Sequence, residues 1–126
     1  MATTVSKSIG CDFIRQEMGG KFTLLGVYPN NSVLVTDPDL PVLLSFYIEI
    51  LSDENRTVPI ELQIRNQFNV VLNKSSLNLT LSSNFTAPLT WGPLTIKSQL
   101  PGYINCGFWM DGLWIHAMTI NIQVKK

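Results

Sequence analysis

Hydrophobic and polar residues alternate along much of the chain with a period of two. Val42, Leu44, Phe46, Ile48 and Ile50 fall on one side of an extended segment, and Leu43, Ser45, Tyr47, Glu49 and Leu51 on the other. Residues 57 to 65 alternate more cleanly, with Val58, Ile60, Leu62 and Ile64 set against Thr57, Pro59, Glu61, Gln63 and Arg65. Successive side chains of a strand point to opposite faces, so both segments predict half-buried antiparallel strands. The link between them, Ser52-Asp53-Glu54-Asn55-Arg56, is short and polar and predicts a hairpin. Pro59 lacks a backbone donor, which favours an edge position or a bulge.

Two further hairpins are marked by their turns. Gly19-Gly20 separates Ser8–Met18 from Lys21–Tyr28, and a two-residue turn there would set Arg15 against Leu24 and Glu17 against Phe22. Asp111-Gly112 separates Tyr103–Met110 from Leu113–Val124 and is a type I′ signal. That register pairs Trp109 with Trp114, Gly107 with His116, Asn105 with Met118 and Tyr103 with Ile120. The opposite side then carries Ile104, Cys106, Phe108, Met110, Leu113, Ile115 and Ala117, which is read as core. Beyond that the apolar residues become Ile120, Ile122 and Val124, so the parity changes and a bulge near Met118-Thr119 is expected. Leu77, Leu79 and Leu81 predict a strand, with a short one near Val70–Leu72. Asp37–Pro41 and Ser83–Pro93 read as loops.

No amphipathic helix of useful length, internal repeat or low-complexity tract interrupts this pattern. About eight short strands in one domain, residues 1–126, predict an all-β fold, an antiparallel β-sandwich of immunoglobulin-like layout.

Composition narrows the function classes. Nine Lys and Arg balance nine Asp and Glu, and charged residues are 14% of the chain, against about 25% in typical domains. With 45% hydrophobic and 10% aromatic residues the chain can bury a core and does not read as disordered. Without a basic cluster there is nothing to neutralise several phosphates, so nucleic acid is not the expected partner. No apolar run is long enough to predict a membrane helix, and the first residues lack the apolar centre of a signal peptide. A cytoplasmic location is expected. Cys11 and Cys106, each within an apolar strand pattern, read as reduced buried residues, a single bridge between them being the other reading. Five Asn-x-Ser/Thr triplets, at Asn30, Asn55, Asn73, Asn78 and Asn84, then read as turn chemistry.

The chemistry-bearing patterns are few. His116 is the sole histidine. No Cys-x-x-Cys, His-Glu-x-x-His, Gly-x-Ser-x-Gly or phosphate-cradling glycine loop occurs. The predicted register places Cys106 and His116 on opposite faces, which argues against shared metal ligation. No metal, cofactor or catalytic residue is therefore expected. Two surfaces remain. Tyr103, Asn105, Trp109, Trp114 and His116 share the polar side of the last hairpin. They could bind a protein or a flat ligand, or the tryptophans could staple their own hairpin. Asp12, Arg15, Glu17 and Lys21 surround the first hairpin. They could form a recognition patch, or a local ion pair that keeps an edge soluble.

Residues 11 to 30, CDFIRQEMGGKFTLLGVYPN, resemble the opening of a group of small bacterial and phage proteins. Its signature falls on Cys11, Asp12, Ile14, Arg15, Glu17, Gly19, Lys21, Leu24, Gly26 and Tyr28. The resemblance covers about 20 residues, with Pro101-Gly102 and a final Asp-Gly hairpin matching in style. It implies a cytoplasmic β-sandwich and no assigned activity. The expectation is a non-enzymatic protein-binding module: in a phage setting an inhibitor of a host system, or a protein that pairs with itself as a homo-oligomer. The alternative is a sugar or nucleotide bound on the Trp109/Trp114 side.

Overall fold

The computed structural model describes residues 3–35, 37, 41–97 and 102–124. The loop expected at Asp37–Pro41 and the Pro101 of the resemblance lie largely or wholly outside them. Nine strands occur among the described residues: β1 (Thr3–Gln16), β2 (Phe22–Val27), β3 (Ser32–Val35), β4 (Val42–Ser52), β5 (Arg56–Asn66), β6 (Val71–Leu81), β7 (Ala87–Ile96), β8 (Gly102–Met110) and β9 (Leu113–Val124). They form a four-stranded sheet ordered β2-β1-β4-β7 and a five-stranded sheet ordered β3-β9-β8-β5-β6. The pairings are antiparallel except β3 with β9, which is parallel. The apolar positions read from the period of two meet between the sheets. Leu44, Phe46, Ile48 and Ile50 of β4 face Leu62, Ile64, Phe108, Ile120 and Ile122 across a continuous core.

Several expectations are corrected. The segments at 42–52 and 56–66 do not form a hairpin; they belong to different sheets, and the polar link between them passes from one sheet to the other. Both strands bury one face, and that pattern is the same whether the next strand pairs or crosses. Of the expected loop Ser83–Pro93 only residues 83–86 are one; from Ala87 the chain is strand β7. Ala87, Leu89 and Trp91 are buried in β7 and alternate with Pro88, Thr90 and Gly92. The two short pieces near 70–72 and 77–81 are one strand, β6. Asn73 and Asn78 accordingly sit in a strand, whereas Asn55 bonds Ser83 between the β4–β5 and β6–β7 links.

Pro59 lies in an interior strand, not at an edge. The β5–β8 ladder begins at Ile60↔Met110, so Pro59 has no partner on that side and its missing donor disrupts nothing there. In the last hairpin Asp111 and Gly112 both have positive φ, 53° and 77°, as a type I′ turn requires. The parity change falls one residue earlier than expected: Gly107 pairs with His116 but Cys106 with Met118, leaving Ala117 as the extra residue. Asn105 therefore pairs with Thr119 and Tyr103 with Asn121. Leu113, read as core, is 69% exposed at the strand tip.

The first hairpin departs furthest. Its register is Arg15↔Thr23 and Gln16↔Phe22, with the Glu17 amide bonded to the Lys21 carbonyl, so three residues rather than two make the turn. The hairpin also doubles back. Phe22 pairs with Gln16, yet its ring lies 5.4 Å from that of Tyr47, which pairs with Ile9. Ile9 and Gln16 are seven positions apart, about 23 Å along a straight strand. Only a fold in β1 near Asp12 brings the rings together. Phe22, Leu24 and the hairpin tip then come beside Lys7, Ile9, Tyr47 and Glu49. We call this hairpin the flap. It lies on the outer side of the four-stranded sheet, and at its fold Cys11 and Ser45, both on that outer side, are fully buried.

Candidate functional site

The five residues singled out on the last hairpin all lie on the outer side of the five-stranded sheet, but they make two separate pairs and a lone Tyr103. Trp109 and Trp114 are Cα partners with edge-to-face rings 5.4 Å apart. Asn105 and His116 meet through Thr119, whose hydroxyl donates to Asn105 Oδ1 at 2.7 Å and lies 3.2 Å from His116 Nε2. Tyr103 stands at the far end, 41% exposed, its amide bonded to Gln67.

β5 supplies a residue that the reading of the last hairpin alone could not find. Arg65 places its guanidinium 4.7 Å from the Trp114 ring and 5.7 Å from that of Trp109. It is held there by donating to Gln63 Oε1 at 2.9 and 2.7 Å and to Asn69 at 3.1 Å. Gln63 in turn donates to Glu61 at 2.6 Å. The signal lay in the alternation of β5, which sets Glu61, Gln63 and Arg65 on one face; what was missing was that β5 neighbours β8. Below the rings Gly107 is buried, and a Cβ there would lie 2.5 Å from Trp114 Cζ2. The indole packs against bare backbone, capped by a cation that its own strand neighbours orient. This is a built staple: a cation over an aromatic face contributes about 0.5–1 kcal/mol at exposed sites, and a cross-strand aromatic pair about as much.

Beside Trp109 a shallow groove of about 530 Å³ runs along Pro59, Glu61, Ser76, Asn78 and Asp111. Its carboxylates already have partners, since Glu61 accepts from Gln63 and Asp111 pairs with Arg56. Two carboxylates on the wall oppose a phosphate-bearing ligand. Among the described residues no group of three or more His, Cys, Asp or Glu could hold a metal ion. No helix there is long and apolar enough to cross a membrane.

The second group is divided by the flap. Arg15 and Glu17 form an ion pair at 2.7 Å, with Thr23 donating to the same carboxylate at 3.1 Å. Lys21 lines the hollow under the tip instead. Asp12 stands apart at the fold, accepting a hydrogen bond from the Tyr28 hydroxyl, which also reaches the Leu43 carbonyl at 2.7 Å. Burial and this bond to a carboxylate both push the Tyr28 pKa up. Gly26 has φ of +67°, and a Cβ there would overlap the Asp12 carboxylate, so only glycine closes the fold. Arg15 and Glu17 thus act on each other, as do Asp12, Gly26 and Tyr28, and the two groups shape the flap.

The outer side of the flap is apolar. Phe13 and Leu25 are Cα partners there; Val27, exposed as well, pairs with Cys11 on the other side of the fold. Phe13, Leu25 and Val27 are 43%, 51% and 52% exposed, and Met18 at the tip is 94% exposed. Ile14, Phe22 and Leu24, on the opposite side, are half-buried. The hairpin is thus apolar on both faces, and only one of them is covered. No protein-family model and no curated protein matches the chain.

Proposed function

We propose that the protein is a non-catalytic protein-binding module and that its contact surface is the outer side of the flap. The observation that carries this reading is the exposed Phe13–Leu25 pair, with Met18 exposed at the tip and the Arg15–Glu17 pair at its border. Contiguous apolar area rimmed by polar groups is the composition of a protein interface. A solvated strand face would ordinarily carry polar residues at those positions. The Trp109/Trp114 side is the weaker candidate for a sugar or nucleotide, because its rings are already engaged with each other and with Arg65.

The layout we infer is immunoglobulin-like. With β2 and β3 set aside, the orders β1-β4-β7 and β9-β8-β5-β6 correspond to strands A-B-E and G-F-C-C′ of such sandwiches. β2 and β3 then lie in the connection between the first two of these strands, and β3 runs parallel beside the last. Two free thiols are compatible with a cytoplasmic setting.

Capture from the native host tests the proposal. Wild type and Trp109→Ala should retain the same partner. Phe13→Asp/Leu25→Asp, with an unchanged far-ultraviolet spectrum, should lose it. A partner retained by the flap variant and lost by Trp109→Ala would move the function to the aromatic side.

A further inference from the structure

Four strands end the two sheets, and two more stretches are open on one side, β1 before Cys11 and β9 before Asn121, because β2 pairs only with residues 11–16 and β3 only with 121–124. Both stretches carry a register irregularity, and of the four end strands three are guarded. β2 belongs to the folded-back flap and has six residues, and β3 has only four. β7 carries Pro88 and Pro93 and a register irregularity opposite Ser45. Short edges, prolines and bulges are the ordinary devices that stop a sheet from growing. β6 has none of these over most of its length. It is an eleven-residue strand, VLNKSSLNLTL, without proline or glycine; its one irregularity is near its start, and its one charge is Lys74. It spans about 36 Å, and about half of its backbone N–H and C=O groups point away from β5. Among the described residues no strand other than β5 pairs with it.

We propose that β6 pairs antiparallel with β6 of a second copy of this chain, joining two five-stranded sheets into one of ten strands. The occupant is set by charge and symmetry. A two-fold axis at Ser76 places Ser76 opposite Ser76 of the second copy and Lys74 opposite Asn78, so the two lysines stay apart. Each lysine then lies on the face that carries Glu61 of the other copy, since Glu61 and Lys74 share the outer side of the sheet. Ser75, Leu77 and Leu79 continue the inner side across the joint. The surface is separate from the flap, which remains free in the pair.

Light scattering on the intact chain should report a dimer that dissociates on dilution. Residues directly opposite at a two-fold axis have Cα atoms about 4.5–5.5 Å apart, within the range of a disulfide. Ser76→Cys should therefore give a covalent dimer under mild oxidation, and Asn121→Cys, exposed on β9, should not. Cys11 and Cys106 are buried and do not compete. Ser76→Lys, which sets two like charges face to face, should raise the dissociation constant about fivefold or more. A chain that stays monomeric at every concentration would overturn the proposal. So would a dimer indifferent to Ser76→Lys, or a Ser76→Cys chain that cross-links only to another protein.

Discussion

Gly107→Ala is the sharpest probe of how the aromatic side is built. The new methyl group would lie 2.5 Å from the Ile115 carbonyl oxygen and 2.5 Å from Trp114 Cζ2. Both contacts are roughly 0.8 Å or more inside van der Waals distance. Neither neighbour can retreat freely. The carbonyl belongs to the β8–β9 ladder, and the indole is wedged between Trp109 at 5.4 Å and the Arg65 guanidinium at 4.7 Å. Overpacking of this kind costs about 1–3 kcal/mol. Unfolding entropy of about 2.1 cal/mol/K per residue gives about 0.26 kcal/mol/K for a chain this long, so about 2 kcal/mol lowers Tm by about 8 °C. Thermal unfolding followed by tryptophan emission measures both consequences, the lower Tm and a shifted native spectrum as Trp114 lifts off. Combined with Trp114→Leu the penalty should be smaller than the sum of the two single changes, because they share one contact. A Tm within about 1 °C of wild type, with unchanged emission, would refute the packing of Trp114 on Gly107 and leave its ring available for a ligand.

Two further outcomes follow from the same geometry. Arg65→Ala should cost about 1–2 kcal/mol and alter the near-ultraviolet signal of the tryptophan pair, and Arg65→Lys should recover only part of it, because an ammonium cannot keep both the stacking and the fork of hydrogen bonds. Stability should fall in alkali: burial holds the Cys11 and Cys106 thiols and the Tyr28 hydroxyl protonated in the fold, raising each above its ordinary value. The unfolded chain loses these protons from about pH 8.5 for cysteine and about pH 10 for tyrosine, so the stabilisation is complete below that range and declines as pH rises through it. Tyr28→Phe should remove the Tyr28 share of that decline in pH-dependent urea titrations, leaving that of Tyr47, which burial and its bond to Glu49 also raise, while costing about 1 kcal/mol at neutral pH through the lost hydroxyl hydrogen bond.

The strands of the core were legible because one buried face writes a period of two into the sequence, as in β4, β5 and the β8–β9 hairpin. The Trp109–Trp114 pairing was legible for a further reason, since an Asp-Gly turn fixes the register on both sides. What local pattern does not carry is which strands neighbour each other. The short link between β4 and β5 reads as a hairpin whether the chain turns back or crosses to the other sheet, and Arg65 comes to the aromatic side only through the β5–β8 pairing. The loop reading of Ser83–Pro93 failed from Ala87 onward because prolines and a glycine are admissible on an edge strand. The flap was hidden most deeply. Phe13, Ile14, Phe22, Leu24 and Leu25 give no alternation, since the hairpin is apolar on both sides, and the fold that makes this necessary depends on Gly26, Asp12 and Tyr28 meeting across it.

The central claim is that this sandwich works through the exposed side of its flap. Photo-cross-linking in the native cell tests it most directly, with a benzophenone amino acid placed in turn at positions 13, 25, 109 and 114. The account predicts one protein adduct shared by positions 13 and 25, and none at 109 or 114. Adducts at 109 and 114 with nothing at 13 or 25 would contradict it.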